Sequence, residues 1–279
     1  MILIDGKKVS GEVRTQIRSE ITELEKQGKQ VGLAVIIIGN NPASEVYVRN
    51  KIAACAETGI VSHLYSFPEN VTQEEVIAQI KKLNESEEIN GILVQLPLPA
   101  HLDKETILAT VDPSKDVDGF SAEQSGKTFL GEQSLAGCTP SGIITLLKAY
   151  GVKIDGLNAV VIGRSNIVGK PAAIMLMQEN ATVTVCHSHT KNIKEHTINA
   201  DLIVVAVGKP KFLTADMVKE GAIVIDAGIN RVDGKLYGDV DFENVSKKCS
   251  LITPVPGGVG PMTVTMLMSN TLKAYKNAR

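Results

Sequence analysis

One stretch near the middle of the chain constrains the fold more than any other. The apolar run Ala159-Val160-Val161-Ile162 leads into Gly163, and Gly169 and Pro171 follow. The run is β-branched and too short for a helix, so it predicts a buried strand. Gly163 stands where a tight turn is needed, and Pro171 suits the first turn of a helix. A strand, a turn and a helix in this order direct free backbone N–H groups towards an anion.

Two known glycine patterns were compared with this stretch, and neither fits it. A Walker loop has four residues between its glycines and Ser or Thr after its Lys, whereas five residues separate Gly163 from Gly169 here and Pro171 follows Lys170. The dinucleotide fingerprint G-x-G-x-x-G is not met either. An ordinary strand-to-helix turn stays open. Cofactor binding is favoured because Arg164 would otherwise be a cation without a partner at a helix N-terminus, where the helix dipole disfavours it.

Strands and helices alternate on both sides of a loop region in the middle of the chain. Apolar runs predict strands at 31–38, 61–67, 91–96, 159–162, 181–186, 202–207 and 222–225. This alternation predicts an α/β fold with two domains, a small parallel N-terminal domain and a Rossmann-like, doubly wound cofactor domain, with a cleft between them. The predicted limits are 1–138 for the first domain and 139–262 for the second. A C-terminal helix at 263–279 is expected to return to the N-terminal domain.

Local signals predict where several helices begin and end. Pro42 can open a helix that Gly59 closes. Thr72 has the capping-box spacing to Glu75 and predicts a helix to about residue 84. Thr139-Pro140 predicts a helix that ends before Gly151, and the last helix is predicted over 263–276.

Composition excludes several classes of function. A net charge of −2 argues against a general nucleic-acid binder, and no apolar run is long enough to span a bilayer. The first residues lack a basic segment followed by a long apolar one, so a cytoplasmic protein is expected. The four cysteines are scattered, and the run of Asp112, Asp116 and Asp118 does not match a calcium loop, so no metal site is predicted.

Two side chains on the helix opened by Pro42 can act on one substrate. Tyr47 and Lys51 are four residues apart, so they lie on one helix face, roughly 6 Å apart at Cβ. A solvated Lys beside a partly buried Tyr is the commoner arrangement of such a pair. Short-chain dehydrogenases share the Tyr-x-x-x-Lys spacing, but their glycine-rich loop precedes the pair, whereas here it follows.

Further polar residues follow the ends of predicted strands, where parallel sheets place ligand-binding groups. Gln95 ends the third strand, and Asp118 is a candidate hydrogen-bonding carboxylate. After the strand at 181–186 no acidic residue is present to bind a ribose hydroxyl. Ser188 together with Arg164 instead suits a 2′-phosphate, which predicts NADP. His187 and His189 are predicted to be simply exposed.

Five motifs, taken together, carry a resemblance that covers nearly the whole chain. They are Tyr47-Val48-Arg49-Asn50-Lys51, Val94-Gln95-Leu96-Pro97-Leu98-Pro99, Asp116-Val117-Asp118-Gly119-Phe120, Gly163 to Pro171, and Pro254-Val255-Pro256-Gly257-Gly258-Val259-Gly260-Pro261-Met262-Thr263. In order and spacing they resemble the bifunctional methylenetetrahydrofolate dehydrogenase/cyclohydrolase family. The resemblance implies oxidation of methylenetetrahydrofolate by NADP⁺ and hydrolysis of the methenyl product to formyltetrahydrofolate. It also implies one shared site in a cleft between the domains, and a homodimer.

The resemblance also implies roles for single residues. Lys51 looks like the catalytic amine, Tyr47 the ring that stacks on the substrate, Gln95 the partner that tunes Lys51, and Asp118 the anchor of the pterin. The folate site would further include Leu96, Pro256, Gly257, Gly258, Val259 and Gly260. The cofactor would be held by Gly163, Arg164, Ser165, Ser188 and Ile229. His189 stands where many relatives have Lys or Arg, so part of the positive charge near the 2′-phosphate depends on its protonation.

Elementary chemistry gives these roles a reason. Hydride leaves a methylene carbon between two nitrogens, which needs alignment rather than a catalytic acid. Hydrolysis requires a base, and a partly neutral Lys51 can take the proton of the attacking water. Two other functions stay open on the residues alone: a dinucleotide-binding sensor without turnover, and a dehydrogenase of a small alcohol.

Overall fold

The computed structural model describes residues 1–278, without the side chain of Ala43. The strands are β1 Ile2–Leu3, β2 Gly32–Ile38, β3 Val61–Phe67, β4 Gly91–Val94, β5 Asn158–Ile162, β6 Thr182–Cys186, β7 Leu202–Val205, β8 Ile223–Asp226, β9 Asn230–Val232, β10 Lys235–Tyr237 and β11 Leu251–Ile252. The helices are α1 Gly6–Glu25, α2 Pro42–Thr58, α3 Gln73–Glu85, α4 Lys104–Thr110, α5 Ala122–Leu130, α6 Cys138–Ala149, α7 Gly169–Gln178, α8 Ile193–Thr197, α9 Phe242–Val245 and α10 Val259–Asn277.

Contacts divide the chain into two compact units. We call one the three-stranded unit; it comprises Glu12–Lys127, Glu132–Cys138 and, among the described residues, 264–278. We call the other the six-stranded unit; it comprises Met1–Gly11, Thr128–Gly131 and Thr139–Thr263. The first eleven residues belong to the six-stranded unit because β1 pairs with β11.

The three-stranded unit is built on a parallel sheet in the order β3-β2-β4. Every residue of the central strand β2 is buried. Helices cover the sheet, as a strand buried on both faces requires. Leu267 and Met268 of α10 join Leu33 and Val35 of β2 in one hydrophobic core. The small parallel sheet predicted from the sequence is confirmed.

Local sequence signals account for the helices that flank this sheet. Pro42 is the first residue of α2, where its missing N–H is no loss. The Thr72 side chain accepts a hydrogen bond from the Glu75 backbone, and the Glu75 side chain accepts one from the Thr72 backbone. Both helices therefore begin where the sequence predicts.

The six-stranded unit contains a parallel sheet in the order β1-β11-β8-β7-β5-β6. The chain crosses back over β5 after β6, because β6 lies on one side of β5 and β7 lies on the other. This reversal of direction confirms a doubly wound, Rossmann-like sheet, whose ligands bind at the carboxyl ends of the strands. The antiparallel hairpin β9–β10 follows β8 and is joined at Asp233 and Gly234, both with positive φ.

Several element boundaries differ from the sequence prediction. The last helix α10 begins at Val259 rather than at residue 263, because Pro261 lies in its first turn, where no intrahelical N–H is needed. Strand β4 ends at Val94, so Leu96 lies outside it. Helix α6 begins at Cys138, which places Thr139 inside the helix rather than at its cap.

Among the described residues, no helix combines the length and the apolar character that crossing a membrane requires.

Candidate active site and cofactor pocket

A lysine and a glutamine meet in the three-stranded unit. Lys51 lies on α2, and its Nζ donates a hydrogen bond to Oε1 of Gln95, over 3.0 Å. The Gln95 Nε2 donates to the carbonyl oxygen of Leu96 (2.6 Å), and its backbone N–H donates to Ile36 (2.9 Å). Gln95 is therefore anchored to the sheet, and its oxygen faces the amine. Both side chains are partly buried, which strengthens a polar contact.

Asp118 lies within the electrostatic reach of this pair. Burial raises the pKa of the Asp118 carboxyl, the positive charge on Lys51 acts against that rise, and Asp116 adds to it. The structure thus brings Lys51, Gln95 and Asp118 together. The amine of Lys51 donates to the amide of Gln95 and interacts with the charge of Asp118, in one partly buried environment. The arrangement can hold an amine next to a substrate that the carboxylate binds.

The loop that carries Asp118 is fixed from two sides. The Asp116 carboxylate accepts hydrogen bonds from the backbone N–H groups of Gly119 (3.1 Å) and Ser121 (2.6 Å). From α10, the Asn270 Nδ2 donates to the carbonyl oxygens of Val117 (2.9 Å) and Ala136 (2.8 Å). The sequence analysis missed Asn270, since it lies 153 residues from Val117 and no local spacing connects them.

Cys138 is a second residue that the sequence analysis did not place in this region. Its thiol donates a hydrogen bond to the carbonyl oxygen of Val117, over 3.3 Å. Burial, and then the negative charge of Asp118, raise the pKa of Cys138 well above its usual range. The group is therefore a neutral thiol beside the candidate carboxylate.

Tyr47 lies one turn before Lys51 on α2, and 41% of its surface is exposed. An exposed aromatic face one helical turn from an amine is available to stack on a flat ligand.

The glycine-rich segment Pro256–Gly260 belongs to the six-stranded unit. A Cβ on Gly258 would overlap the carbonyl oxygen of Pro254, and a Cβ on Gly6 would overlap that of Gly258. These close approaches require glycine. Val259 and Gly260 form the first turn of α10, whose backbone N–H groups have no partner within the helix.

The turn after β5 begins and ends at a glycine that the backbone approaches closely. Gly163 has a φ of 128°, and a Cβ on it would overlap the carbonyl oxygen of Ala206. A Cβ on Gly169, at the start of α7, would overlap the carbonyl oxygen of Gly163. The Ser165 Oγ accepts hydrogen bonds from the backbone N–H groups of Val168 (3.2 Å) and Gly169 (3.3 Å), so this hydroxyl holds the turn itself.

A pocket of about 230 Å³ opens at the carboxyl ends of β5, β6 and β7. Polar side chains from each of the three strand ends line it, and Ile193 and Phe212 add apolar wall. The polar and backbone lining comes from Gly163, Arg164, His187, Ser188, Val207 and Lys209. Two cationic side chains and a hydroxyl at one pocket suit a phosphate.

The prediction that both histidines are simply exposed is wrong for His187. This residue is partly buried and lines the pocket, whereas His189 is exposed. Burial first, and then the charges of Arg164 and His189, lower the pKa of His187. The two rings lie 6.0 Å apart between centroids. His187 directly follows β6, and side chains at the carboxyl ends of parallel strands face the ligand site. The sequence prediction did not apply this rule to His187.

Of the predicted cofactor residues, Gly163, Arg164 and Ser188 line this pocket, whereas Ser165 and Ile229 do not. Ile229 follows β8 and is 48% exposed. The sequence analysis missed Lys209, although its position after β7 is the kind of strand end where ligand groups occur. Within residues 1–278 no group of three or more His, Cys, Asp or Glu side chains is arranged to hold a metal ion.

Comparison with known proteins assigns both halves of the sequence to one family. Residues 4–118 match the tetrahydrofolate dehydrogenase/cyclohydrolase catalytic domain, and residues 137–279 match the NAD(P)-binding domain of the same family. The bifunctional protein FolD of Agathobacter rectalis is 54% identical over 275 residues, which cover 98% of this chain and 99% of that protein.

Solved structures agree in fold over the whole chain. The bifunctional enzyme FolD, methylenetetrahydrofolate dehydrogenase/cyclohydrolase, from Campylobacter jejuni superposes with a TM-score of 0.98 and 52% identity, covering 100% of both chains. The Trypanosoma brucei methylenetetrahydrofolate dehydrogenase-cyclohydrolase, solved with NADP cofactor and an inhibitor, gives a TM-score of 0.95 at 39% identity, covering 100% of this chain and 98% of that one. The chain therefore belongs to the tetrahydrofolate dehydrogenase/cyclohydrolase family, with the catalytic domain and the NAD(P)-binding domain that define it.

Proposed function

We propose that this protein oxidises methylenetetrahydrofolate with NADP⁺ to methenyltetrahydrofolate and then hydrolyses that cation to formyltetrahydrofolate, as a step of one-carbon metabolism. The observation that carries the proposal is the grouping of Lys51, Gln95 and Asp118 in one partly buried environment. A base, an oriented partner and a carboxylate are the groups that binding a pterin and hydrolysing a cation require.

Most of the proposed substrate contacts are side chains of the three-stranded unit. In this proposal Asp118 accepts hydrogen bonds from the N–H groups of the pterin, and burial makes such bonds stronger than they would be in water. Tyr47 stacks its exposed ring on the flat heterocycle. Leu96 and the segment Pro256–Gly260 complete the folate contacts.

The cofactor pocket fits NADP. A Cβ on Gly163 or Gly169 would overlap a backbone carbonyl oxygen, so only glycine at these two positions permits the tight turn beside the pocket. Arg164 and Ser188 supply the donors that a 2′-phosphate needs, and Lys209 adds a second cation to the lining. When bound there, NADP⁺ accepts the hydride that the methylene carbon loses. The protein's own contribution to this step is alignment.

Hydrolysis requires more of the protein. A water oxygen forms a bond to the methenyl carbon, and the neutral amine of Lys51 takes the proton that this water loses. The hydroxyl oxygen of this adduct then loses its proton and forms the C=O bond of the formyl group, while the bond from the carbon to one of its two nitrogens breaks. That nitrogen takes up a proton, so one proton is released overall. The Gln95 oxygen orients the Lys51 nitrogen through their 3.0 Å hydrogen bond. A positioned base of this kind contributes about 10²- to 10⁴-fold to the rate.

The family resemblance also leads us to propose a homodimer. The edge strand β6 supports this proposal, because Val185 on it is 38% exposed and one side of the strand has no neighbour in the sheet. Sedimentation at micromolar concentration should give twice the mass of one chain. A single-chain mass over the whole concentration range would refute the dimer.

One assay tests the proposed function. The purified protein is mixed with methylenetetrahydrofolate and either NADP⁺ or NAD⁺, and the reduced cofactor, the methenyl compound and the formyl compound are followed together. We expect reduced cofactor and formyl product in equal amounts, with NADP⁺ preferred. Cofactor binding without any reduction would instead indicate a sensor, and reduction only with a simple alcohol would indicate a different dehydrogenase.

A further inference from the structure

A fully buried carboxylate, Asp239, lies just after β10 in the six-stranded unit. Its Oδ2 accepts hydrogen bonds from the backbone N–H groups of Val207 (2.6 Å) and Gly208 (2.9 Å). Its Oδ1 accepts one from the N–H of Lys209, over 2.9 Å. Three successive N–H groups directed at one anion form a concave nest, and here the protein's own carboxylate fills it. Asp239 thereby fixes the loop that follows β7.

The same carboxylate also holds the loop that follows β8. The Asn230 Nδ2 donates to Asp239 Oδ1, over 2.8 Å. A Cβ on Gly228 would overlap the Asp239 carboxylate, so this loop passes against it. Asn230 and Gly228 flank Ile229, one of the residues predicted to contact the cofactor. One buried group therefore joins the ends of two neighbouring strands.

A second buried carboxylate positions the first. Asp226 is 3% exposed, and its Oδ1 accepts hydrogen bonds from the backbone N–H groups of Asp239 and Gly228, each over 2.9 Å. Its Oδ2 accepts one from Val240, over 3.0 Å. Two buried acids in contact through the backbone are costly to retain, since each must lose its hydration. The backbone N–H groups that donate to the two carboxylates offset this desolvation cost, and they can do so only while the loops after β7 and β8 keep their positions.

The loop that Asp239 holds forms part of the cofactor pocket. Val207 and Lys209 both line the pocket, and the backbone N–H of each donates a hydrogen bond to Asp239, which fixes its position. We propose that Asp239 is a positioning residue of the cofactor site: it presets the loops after β7 and β8, and so sets the affinity for the dinucleotide without touching it. The identity of that dinucleotide as NADP(H) rests on the function proposed above.

An isosteric substitution isolates this role. In Asp239→Asn an NH₂ group replaces one oxygen and faces backbone N–H donors, so the nest loses acceptors at nearly constant volume. We expect the dissociation constant for NADPH, measured by fluorescence titration, to rise about tenfold or more. Hydrolysis of added methenyltetrahydrofolate, which depends on Lys51 in the other unit, should stay within about twofold of wild type. The matched control is Asp233→Asn, in the exposed turn of the β9–β10 hairpin, which should change neither value.

A second variant keeps the proposal testable if Asp239→Asn does not fold. Asn230→Ala removes one donor to the carboxylate and leaves the nest intact, so NADPH binding should weaken by a smaller factor of about three to ten. Unchanged NADPH affinity in both variants would overturn the proposal. So would a parallel fall of NADPH binding and hydrolysis in Asn230→Ala together with loss of folded protein, since that indicates a structural role alone. A wild-type protein that binds NADPH but does not oxidise the folate would refute the proposed function and leave this binding test valid.

Discussion

The two units present different chemistry to a ligand. In the three-stranded unit the candidate groups are side chains, and Lys51 meets Gln95 across 44 residues of sequence. In the six-stranded unit the turn from Gly163 to Gly169 is backbone without room for a Cβ at either end. Proton transfer needs titratable side chains that the fold must bring together, whereas a phosphate can be held by consecutive N–H groups of one segment. Substitutions in the first region should therefore change hydrolysis, and those in the second should change cofactor affinity.

The largest expected effect follows from removing the candidate base. Lys51→Met keeps most of the length of the side chain and removes its amine, so hydrolysis of added methenyltetrahydrofolate should fall by about 10²- to 10⁴-fold. The rate is measured from the disappearance of the methenyl absorbance. Lys81→Met, on the exposed side of α3, makes the same change away from the site and should keep the wild-type rate. Unchanged hydrolysis in Lys51→Met would remove Lys51 from the mechanism.

Asp226 should make the stability of the six-stranded unit depend on pH. Burial raises the pKa of Asp226 from 3.8 to about 6, against the hydrogen bonds from Asp239, Gly228 and Val240 that lower it. Between these two values the folded protein binds more protons than the unfolded chain. The Asp226 contribution to the free energy of unfolding is therefore most favourable below about pH 4 and falls by about 2 to 3 kcal/mol as the pH rises through about 6.

Urea unfolding of wild type and Asp226→Asn over this pH range measures that contribution. The wild-type free energy of unfolding should decrease relative to that of the variant as the pH rises. A difference between the two proteins that stays constant with pH would show that Asp226 does not titrate there.

Cofactor choice should depend on Arg164. Removing its guanidinium in Arg164→Ala should weaken NADP⁺ binding by about 10- to 100-fold, because a charged hydrogen bond to the extra phosphate is lost. NAD⁺ lacks that phosphate and should bind within about twofold of its wild-type affinity. The control Lys153→Ala removes an exposed cation from the same unit. Equal losses for both cofactors would show that Arg164 does not distinguish them.

The smallest effect should come from placing a negative charge on Gln95, the hydrogen-bond partner of Lys51. Gln95→Glu places a carboxylate where an amide oxygen now accepts the Lys51 hydrogen bond, and it favours the charged form of the amine. The rise of the hydrolysis rate with pH should therefore move upward by about one pH unit, while NADPH binding stays the same. An unshifted pH profile would indicate that Gln95 does not tune the base.

Local signals predicted the parts of the fold that are decided within a few residues. Pro42 begins α2, and Thr72 and Glu75 form the capping box of α3, because each satisfies backbone groups close to it in sequence. The alternation of strands and helices predicted both parallel sheets. The predicted start of α10 at residue 263 was wrong, since the helix begins at Val259. The glycine and proline run before residue 263 resembles a loop, although Pro261 is compatible with a first helical turn.

Contacts between distant residues could not be predicted from spacing. Asn270 reaches Val117 from the last helix, and Asp239 reaches back to Val207 across 32 residues. No period or motif links such residues, since their meeting depends on how the helices and strand-end loops pack. The roles of Tyr47, Lys51, Gln95 and Asp118 came from the resemblance of whole motifs, and they stay predictions until the substitutions are made.

One progress curve tests the division between the two regions most directly. Wild type and Lys51→Met are each mixed with methylenetetrahydrofolate and NADP⁺, and reduced cofactor and methenyl compound are recorded together. In Lys51→Met we expect reduced cofactor to form while the methenyl compound accumulates, because oxidation needs alignment and hydrolysis needs the amine. Loss of both activities in equal proportion, in a variant that still binds NADPH, would contradict the account.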